Sequence, residues 1–269
     1  MADPLQSAVS GLGAFQSWMA SIGNDISNVN TVGYKSTEVN FADMLSQMMS
    51  SGGAGSTSGI GGTNPIQVGT GVQMNQVTPV FTQGSMQSTG NPSDLMINGN
   101  GLFALGSSTT GSPTMYTRAG NFTVDSSGYL VAPNGDYLLA SSSAGGTPNT
   151  AINVGSNSYT IGQDGTITVN SSPATTYYLS LATFPNPAGL TKTGSNMWEA
   201  PTGGNQGNVT YGQPGKPNIG TVQQGYLESS NVDLAQEMSN MIKASTNFDA
   251  NSKVINTVQS MYQVMMQNL

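Results

Sequence analysis

Four residues of this chain have the types and the spacing of a cofactor-binding loop. Gly99, Gly101 and Ala104 follow the Gly-x-Gly-x-x-Ala spacing of dinucleotide-binding loops, and Asp125 stands where the ribose-binding acid would stand. That chemistry requires a helix that opens at the glycines, so that its N-terminus faces the pyrophosphate. Here a short apolar run and then Ser, Thr and Gly follow. We therefore interpret the glycines as a hairpin turn between two apolar runs, and we expect no cofactor.

Three aspartates raise the possibility of calcium binding or of a glycosidase pair. Asp125, Asp136 and Asp164 stand in successive segments rich in Gly and Asn, which is ordinary turn chemistry. The chain has no His and no Cys, so imidazole and thiolate ligands, Cys nucleophiles and the commonest general base are missing. We predict no catalytic site, no metal site and no enzyme activity.

Charge is unusually scarce in this sequence. Charged residues make up 7% of its 269 residues, against roughly 25% in an ordinary domain. A surface of Ser, Thr, Asn, Gln and Gly packs densely against copies of itself, because few charges must be desolvated. Only 6 residues are Lys or Arg and 13 are Asp or Glu, giving a net charge of −7 and no basic patch for nucleic acid. We expect no nucleic-acid partner.

The chain start does not resemble a cleaved signal peptide, since it lacks a basic segment followed by a continuous apolar one. No run approaches the roughly 20 apolar residues of a membrane span. We expect a protein without a membrane span that is either cytosolic or exported by a route that needs no cleaved signal.

Both ends of the chain carry apolar stripes with alternating three- and four-residue steps, which predict helices with one apolar face. The first stripe contains Leu5, Ala8, Leu12, Phe15, Met19, Ile22, Ile26 and Val29. The second contains Leu234, Met238, Met241, Ser245, Phe248, Ser252, Ile255, Val258, Tyr262, Met265 and Leu269. We predict one helix over about residues 5–30 and another that opens at a capping box formed by Ser230 and Asp233. Glycines weaken the first helix, so we expect the stripes to pack against each other or against neighbouring molecules.

The middle of the chain predicts short strands and tight turns. Apolar runs flank Asn-Gly or similar turns at residues 95–105, 122–131, 133–139 and 161–169, which is the pattern of β-hairpins. We therefore expect an antiparallel all-β domain. Its predicted core contains Phe103, Phe122, Tyr129, Leu130, Leu138, Leu181 and Phe184. Residues 41–49 predict a short helix, and residues 50–62 a flexible or extended arm.

Several motifs of this chain resemble those of bacterial flagellar axial proteins, the rod and hook family. Residues 23–35 are similar to the family signature Asn-Asn-Ile-Ala-Asn-x-x-Thr-x-Gly-Tyr/Phe-Lys, with Asp25 and Ser27 in place of its commonest residues. The signature residues of this chain are Asn24, Asn28, Thr31, Gly33, Tyr34 and Lys35. Residues 94–103, 116–122, 125–130 and 225–234 are similar to further family blocks, in the family's order.

The resemblance implies an export substrate of the flagellar type III system that polymerises with itself into a helical tube. It also implies neighbouring rod, hook and junction proteins as partners, and a fold in which the terminal helices pair as an inner layer with the β domain outside. The implied assembly interface consists of Leu5, Leu12, Phe15, Met19, Ile22, Ile26, Val29, Leu234, Met238, Met241, Phe248, Ile255, Tyr262 and Met265. The fold class is thus mixed, with four segments: residues 1–45 helical, 46–80 an extended arm, 81–225 the β domain and 226–269 helical.

Within the family, residues 41–45, 63–69 and 83–92 are more similar to the hook subunit, whereas the chain length is similar to that of the distal rod protein. We expect a short hook protein, with the distal rod protein as the alternative. A secreted adhesive or carbohydrate-binding β protein would explain the turn-rich middle but not the two stripes. A coiled-coil scaffold would explain the stripes but not the large β region.

Overall fold

The computed structural model describes residues 4–53, 62–170 and 175–267. These residues form two compact units, each assembled from separate parts of the chain. The helical unit contains Met1–Ser27, Thr37–Thr78 and Asp233–Leu269, and the β unit contains Asn28–Ser36 and Pro79–Val232. The predicted mixed fold, with a helix at each end and a central antiparallel β domain, is confirmed.

The described residues of the helical unit form two long helices and two pairs of strands. Its elements are α1 Pro4–Ser27, β1 Thr37–Asp43, β2 Ser46–Ser50, β3 Ile66–Gly69, β4 Val72–Pro79 and α2 Leu234–Gln267. Helices α1 and α2 pack against each other, strand β1 pairs with β4, and β2 pairs with β3. None of the described helices combines the length and hydropathy needed to cross a membrane.

Both helices differ at one end from the sequence prediction. Helix α1 ends at Ser27, so Val29 lies beyond the helix and belongs to the β unit. Helix α2 begins at Leu234, and its N-cap is Asp233, whose Oδ1 accepts the amide of Ala235 at 2.9 Å. The predicted capping box is wrong in detail, because the Ser230 hydroxyl instead accepts the amide of Val232, before the helix.

The short helix predicted over residues 41–49 is wrong. Strands β1 and β2 occupy this region, because tertiary pairing outweighs the weak local helix preference. Phe41 packs its ring against Phe15 and Trp18 of α1, with ring centroids 5.9 and 5.7 Å apart. Thr37 donates its amide to the buried Asp25 carboxylate at 2.9 Å, which fixes the start of β1 on α1. The predicted arm over residues 50–62 lies mostly outside the described residues.

The β unit contains seventeen strands among its described residues, all paired antiparallel. Their bounds are β5 Met86–Ser88, β6 Leu95–Asn98, β7 Phe103–Gly106, β8 Met115–Thr117, β9 Thr123–Val124, β10 Leu130–Val131, β11 Tyr137–Ala140, β12 Thr150–Ala151, β13 Tyr159–Ile161, β14 Thr166–Val169, β15 Thr175–Tyr178, β16 Leu181–Thr183, β17 Thr191–Gly194, β18 Met197–Glu199, β19 Thr210–Gly212, β20 Thr221–Gln224 and β21 Tyr226–Glu228. The largest sheet has the order β17-β18-β8-β7-β11-β10-β9, with β12 also paired to β11. A second sheet has the order β13-β14-β15, and the remaining strands form the pairs β16-β19, β20-β6 and β21-β5.

Three of the four predicted hairpins are confirmed: β9 pairs with β10, β10 with β11, and β13 with β14. The hairpin over residues 95–105 is wrong, because β6 pairs with β20 whereas β7 pairs with β8 and β11. The connection passes between sheets at Gly99, which has φ +111° and where a Cβ atom would lie 2.8 Å from the Cα of Gly220. The glycine serves a close approach of two backbones rather than a tight turn.

The core of the β unit is apolar and continuous. Leu95, Ile97, Phe103 and Leu138 are fully buried, and the ring of Phe103 meets that of Phe122 edge-on at 5.3 Å. Of the predicted core residues, Phe122, Leu130 and Leu181 are also buried, whereas Tyr129 and Phe184 are half-buried. The apolar alternation of short strands therefore identified most of this core correctly.

Candidate functional site

A buried ion-pair triad of Lys35, Arg118 and Glu228 lies within the β unit. The Nζ of Lys35 is 2.7 Å from Oε1 of Glu228, and the Nε of Arg118 is 2.5 Å from Oε2 of the same carboxylate. The three side chains are 1%, 6% and 0% exposed. A buried carboxylate with two cationic partners is satisfied only when both ends of the chain and its middle have folded together.

Backbone groups complete the hydrogen bonding of the triad. The Arg118 guanidinium donates from Nη1 to the carbonyl of Gly101, and from Nη2 to the carbonyls of Ile97 at 3.0 Å and Gly99 at 2.7 Å. The crossing between β6 and β7 thus presents its carbonyls to a cation. Glu228 also accepts the amide of Gly84 at 2.8 Å. These bonds offset the desolvation of the charges.

Electrostatics within the triad favour the ionised carboxylate. Burial raises the pKa of Glu228, but the nearby charges of Arg118 and Lys35 outweigh burial and hold it below its ordinary value. Burial also lowers the pKa of Lys35, and the attraction of Glu228 offsets this only in part. The ionised carboxylate of Glu228 is therefore the group that stabilises the positive charges of Lys35 and Arg118.

The signature segment enters the β unit through a tight turn. Thr31 donates its amide to the carbonyl of Asn28 at 3.0 Å and its hydroxyl to the Asn28 side chain at 3.1 Å. Gly33 follows with φ +68°, and a Cβ atom there would lie 2.6 Å from the amide nitrogen of Ala119. Only glycine fits this position without strain. The Gly33 amide then donates to the Glu228 carbonyl at 2.8 Å, which brings Lys35 to the triad.

Further contacts hold the same segment in the β unit. Tyr34 is buried, and the ammonium of Lys192 lies 4.1 Å from the centroid of its ring. Asn231 accepts the amide of Ser36 at 2.7 Å and donates to the carbonyl of Val80 at 2.8 Å. The same hydrogen bonds therefore hold both residues 28–36 and residues 226–231 within the β unit.

The predicted signature residues divide between the two units. Asn28, Thr31, Gly33, Tyr34 and Lys35 lie together in the β unit, while Asn24 is exposed on α1. Sequence reasoning did not select Arg118, Glu228 and Asn231 as site residues. One signal was available, because Arg118 is the sole arginine of the chain.

The predicted assembly residues lie mostly in the helical unit. Ile22 of α1 is buried, at 2% exposure. Half-buried members are Leu5, Leu12, Phe15, Met19, Ile26, Met241, Phe248 and Ile255, together with Val29 in the β unit. Leu234, Met238, Tyr262 and Met265 are exposed, by 43%, 56%, 47% and 59%. The role of these residues as an assembly interface stays a prediction.

The two helices approach each other closely at Gly11, and small side chains are buried on both helices. Ala8, Ala14 and Ala244 are buried, and a Cβ atom at Gly11 would lie 2.5 Å from the amide nitrogen of the Asn251 side chain. The glycine that weakens α1 as an isolated helix therefore permits the approach of α2. Ala8 belongs to the predicted first stripe, whereas Gly11 and Ala14 do not, so the buried face of α1 coincides with the stripe only in part.

Two of the three candidate aspartates, Asp125 and Asp164, accept hydrogen bonds within their own turns. Asp125 accepts the amides of Ser127 and Tyr129 at 2.9 and 2.7 Å. Asp164 accepts the hydroxyl and amide of Thr166 at 2.7 and 3.1 Å, and these bonds, the hydroxyl first, lower the pKa of Asp164. The turn interpretation of these two residues is confirmed. In the described part of the chain, no group of three or more acidic, His or Cys side chains could hold a metal ion.

Three family models match this chain, in the order of its motifs. The model "Flagella basal body rod protein" matches residues 5–35, "Flagellar hook protein FlgE/F/G D1 domain" matches residues 96–169, and "Flagellar basal body rod FlgEFG protein C-terminal" matches residues 223–268. The fold and the matched motifs thus define an axial structural protein, with paired terminal helices and a central β domain.

Full-length relatives carry the identification further. The flagellar basal-body rod protein FlgG of Bacillus subtilis is 39% identical over 263 residues, covering 96% of both chains. That of Caulobacter vibrioides is 35% identical over 98% of both chains. The flagellar hook protein FlgE of Borreliella burgdorferi is 49% identical over 129 residues, which cover 48% of this chain and 28% of that protein.

The chain belongs to the bacterial flagellar rod and hook protein family. It is a structural component of the flagellum, not an enzyme. The hook protein, our first expectation within this family, is not supported by these relatives, and the rod alternative fits them better.

Proposed function

We propose that this chain is a subunit of the flagellar basal-body rod, in its distal part, and that it polymerises there with copies of itself. One observation carries the proposal: relatives named as basal-body rod proteins align over nearly the whole chain, whereas the hook relative aligns over about half of it.

Polymerisation in this proposal uses the exposed apolar side chains of the helical unit. Met238, Tyr262 and Met265 on α2 are about half exposed in the single chain. Burial of such side chains contributes about 25 cal/mol per Å² of apolar area. Few charges need desolvation when this unit packs against its neighbours, since α2 carries only Glu237, Lys243, Asp249 and Lys253. A non-closing head-to-tail contact between identical copies then produces a helical tube.

Export in this proposal is by the flagellar type III apparatus, without a cleaved signal peptide. Neighbouring partners in the rod, at the rod–hook junction and in the hook follow from the same placement. The absence of Cys from the sequence suits a chain that folds only after export, because no wrong disulfide can form on the way.

Labelling of isolated flagella tests the placement. A short peptide tag inserted near residue 143, in an exposed turn of the β unit, would be located by gold-labelled antibody on hook–basal-body complexes from cells that carry only the tagged copy. We expect gold at the rod and none along the hook. Gold along the hook would contradict the proposal, and a tagged copy of a hook protein in the same cells serves as the control.

A further inference from the structure

A cavity of about 450 Å³ within the β unit reaches the two cations of the triad. Both Lys35 and Arg118 are among its lining residues, and none of the described residues that line it is Asp or Glu. The carboxylate of Glu228 pairs with both cations but does not line the cavity. The described lining of the cavity therefore includes two cationic residues and no acidic one.

Within the part of the chain that the structure describes, the triad has one positive charge more than it has negative ones, and two of its N–H donors have no acceptor. Of the three Lys35 donors, one bonds Glu228 and one the carbonyl of Thr82. Of the five Arg118 donors, four are used by Glu228 and by three backbone carbonyls. Among the described residues, Glu228 is the one acidic side chain bonded to either cation. An excess charge inside a protein is costly unless an anion pairs with it.

The walls indicate which anion fits. Phe81, Leu102 and Phe184 supply apolar surface, while Thr183 and Asn218 supply polar groups. A fully hydrated inorganic anion gains nothing from apolar walls. A carboxylate on a short aliphatic chain fits both the cationic and the apolar lining. Its oxygens accept charge-assisted hydrogen bonds, and its aliphatic chain packs against the apolar wall.

We propose that this cavity is a carboxylate-binding site, and that its occupant in the assembled state is an acidic side chain of a second copy of this chain. The assignment of the carboxylate to a second copy rests on the proposed polymerisation, whereas the proposal of a binding site does not. Charge complementarity supports the choice, because the chain has 13 acidic and 6 basic residues. An exposed carboxylate such as that of Glu199 is available on the β unit of a neighbouring copy.

Titration of the full-length monomer with sodium propionate tests the site. Because Arg118 is the sole arginine, its Nε–H signal is a unique nuclear magnetic resonance reporter in this chain. We expect a saturable shift of that signal with propionate, and none with sodium chloride at equal ionic strength. A shift that is absent, or equal with chloride, would overturn the proposal whatever the place of the chain in the flagellum.

Two lysine variants sharpen this titration. Lys35→Met removes the excess charge but leaves the Arg118–Glu228 pair, so we expect propionate binding at least about tenfold weaker. Lys216→Met changes the net charge equally at an exposed position outside the cavity, and should bind propionate like the parent. Equal weakening in both variants would show a non-specific charge effect and would contradict the site.

Competition with assembly identifies the source of the carboxylate. We expect propionate to slow self-association, measured by light scattering, more than chloride does at equal ionic strength. Lys35→Met should associate more slowly and should lose its sensitivity to propionate. Binding of propionate to the monomer without any effect on association would assign the cavity to a free carboxylate and overturn the part that names a second copy.

Discussion

The helical unit and the β unit differ in how far they bury their apolar side chains. Leu95, Ile97 and Phe103 of the β unit are fully buried within their own chain, whereas Met261, Tyr262 and Met265 of the helical unit are about half exposed. Apolar burial is the dominant stabilising term of a fold. The β unit therefore contains its own source of stability, while much of the apolar surface of the helical unit is left for contacts with other molecules.

The two units also differ in how they hold charge. In the β unit, Glu228 is buried between two cations that come from distant parts of the sequence. In the helical unit, acidic groups accumulate near the start of α2, where Glu237 interacts unfavourably with Asp25 and Asp233. One unit uses buried charge to join segments, and the other is weakened by like charges. Each contrast predicts a different response to mutation and to pH.

Removal of the Glu228 carboxylate should have the largest effect. Glu228→Gln leaves two buried cations without their anion, so we expect the β unit to lose about 3–5 kcal/mol of unfolding free energy. Each unit has one tryptophan, Trp18 in α1 and Trp198 in β18, so a Trp18→Phe background reports the β unit alone by fluorescence. Denaturant unfolding in that background measures the loss.

Two controls separate the triad from a general charge effect. Glu199→Gln makes the same change at an exposed position of the β unit and should cost less than about 0.5 kcal/mol. Lys35→Met leaves one balanced ion pair and should cost far less than Glu228→Gln. A loss that is equally small in all three variants would contradict the structural importance of the triad.

Two aspartate substitutions should sharpen the distinction between the two kinds of helix surface. Ile22→Asp places a charge at a buried position of α1, the helix that packs against α2, so we expect it to cost the helical unit at least about 2 kcal/mol. Met265→Asp lies on an exposed part of α2 and should leave the monomer unchanged. Both variants should abolish polymerisation. Met265→Asp reduces the apolar surface that is available to neighbouring molecules, and Ile22→Asp weakens the pairing of α1 and α2 on which that surface depends.

Circular dichroism of the monomer and sedimentation of the polymer measure these effects. The Trp198 fluorescence transition should be unchanged in both variants, since neither residue belongs to the β unit. Polymers formed normally by Met265→Asp would contradict the role of this exposed surface. A destabilised β unit in Ile22→Asp would show that its core depends on the helices.

Acidification should change the stability of the two units with opposite signs and in different pH ranges, with the smallest effect of the series. Burial first, and then the nearby charge of Asp25, raise the pKa of Glu237 above its ordinary value of 4.5. Folded chain then takes up a proton before unfolded chain does, so the helical unit gains stability as pH falls through the raised pKa, and the gain is complete below 4.5. The pKa of Glu228 is lowered, so the β unit loses stability only at more acidic pH, as pH falls from 4.5 through the lowered value.

Separate melting curves of the two units check this sign. Trp18 fluorescence in a Trp198→Phe background follows the helical unit, and Trp198 in the Trp18→Phe background follows the β unit. We expect the helical unit to melt higher at about pH 5 than at about pH 7, and Glu237→Gln to remove that difference. A helical unit that melts lower at about pH 5 would contradict the stated direction.

Periodicity predicted the parts of the fold that depend on local sequence. The helices at both ends and three hairpins follow from three- and four-residue steps and from Asn-Gly or similar turns. Non-local pairing could not be read in the same way. Residues 95–105 look like a hairpin, but the partners of β6 and β7 come from residues 115–117, 137–140 and 221–224, which no local pattern indicates.

The candidate site was predictable in part. The signature placed Lys35 among the important residues, but nothing in its spacing identified Glu228, 193 positions along the chain, as its partner. Scarcity of charge offered a physical hint, because the sole arginine and the acid Glu228 both stand inside the family blocks at residues 116–122 and 225–234. The sequence pattern indicates a β domain over residues 81–225, and these domain boundaries stay a prediction. The contacts of the structure also place residues 28–36 and 226–232 in the β unit.

Amide hydrogen exchange of the full-length monomer tests the contrast between the units most directly. Gly33 donates its amide to Glu228 and Ser229 to Ser85, whereas Leu95 donates within the core of the β unit to Gly120. The account predicts that Gly33 and Ser229 exchange as slowly as Leu95, and at least about tenfold more slowly than the amides of α1 and α2. Exchange of Gly33 and Ser229 at the faster rate of the helices would contradict it, because both segments would then open without the β unit.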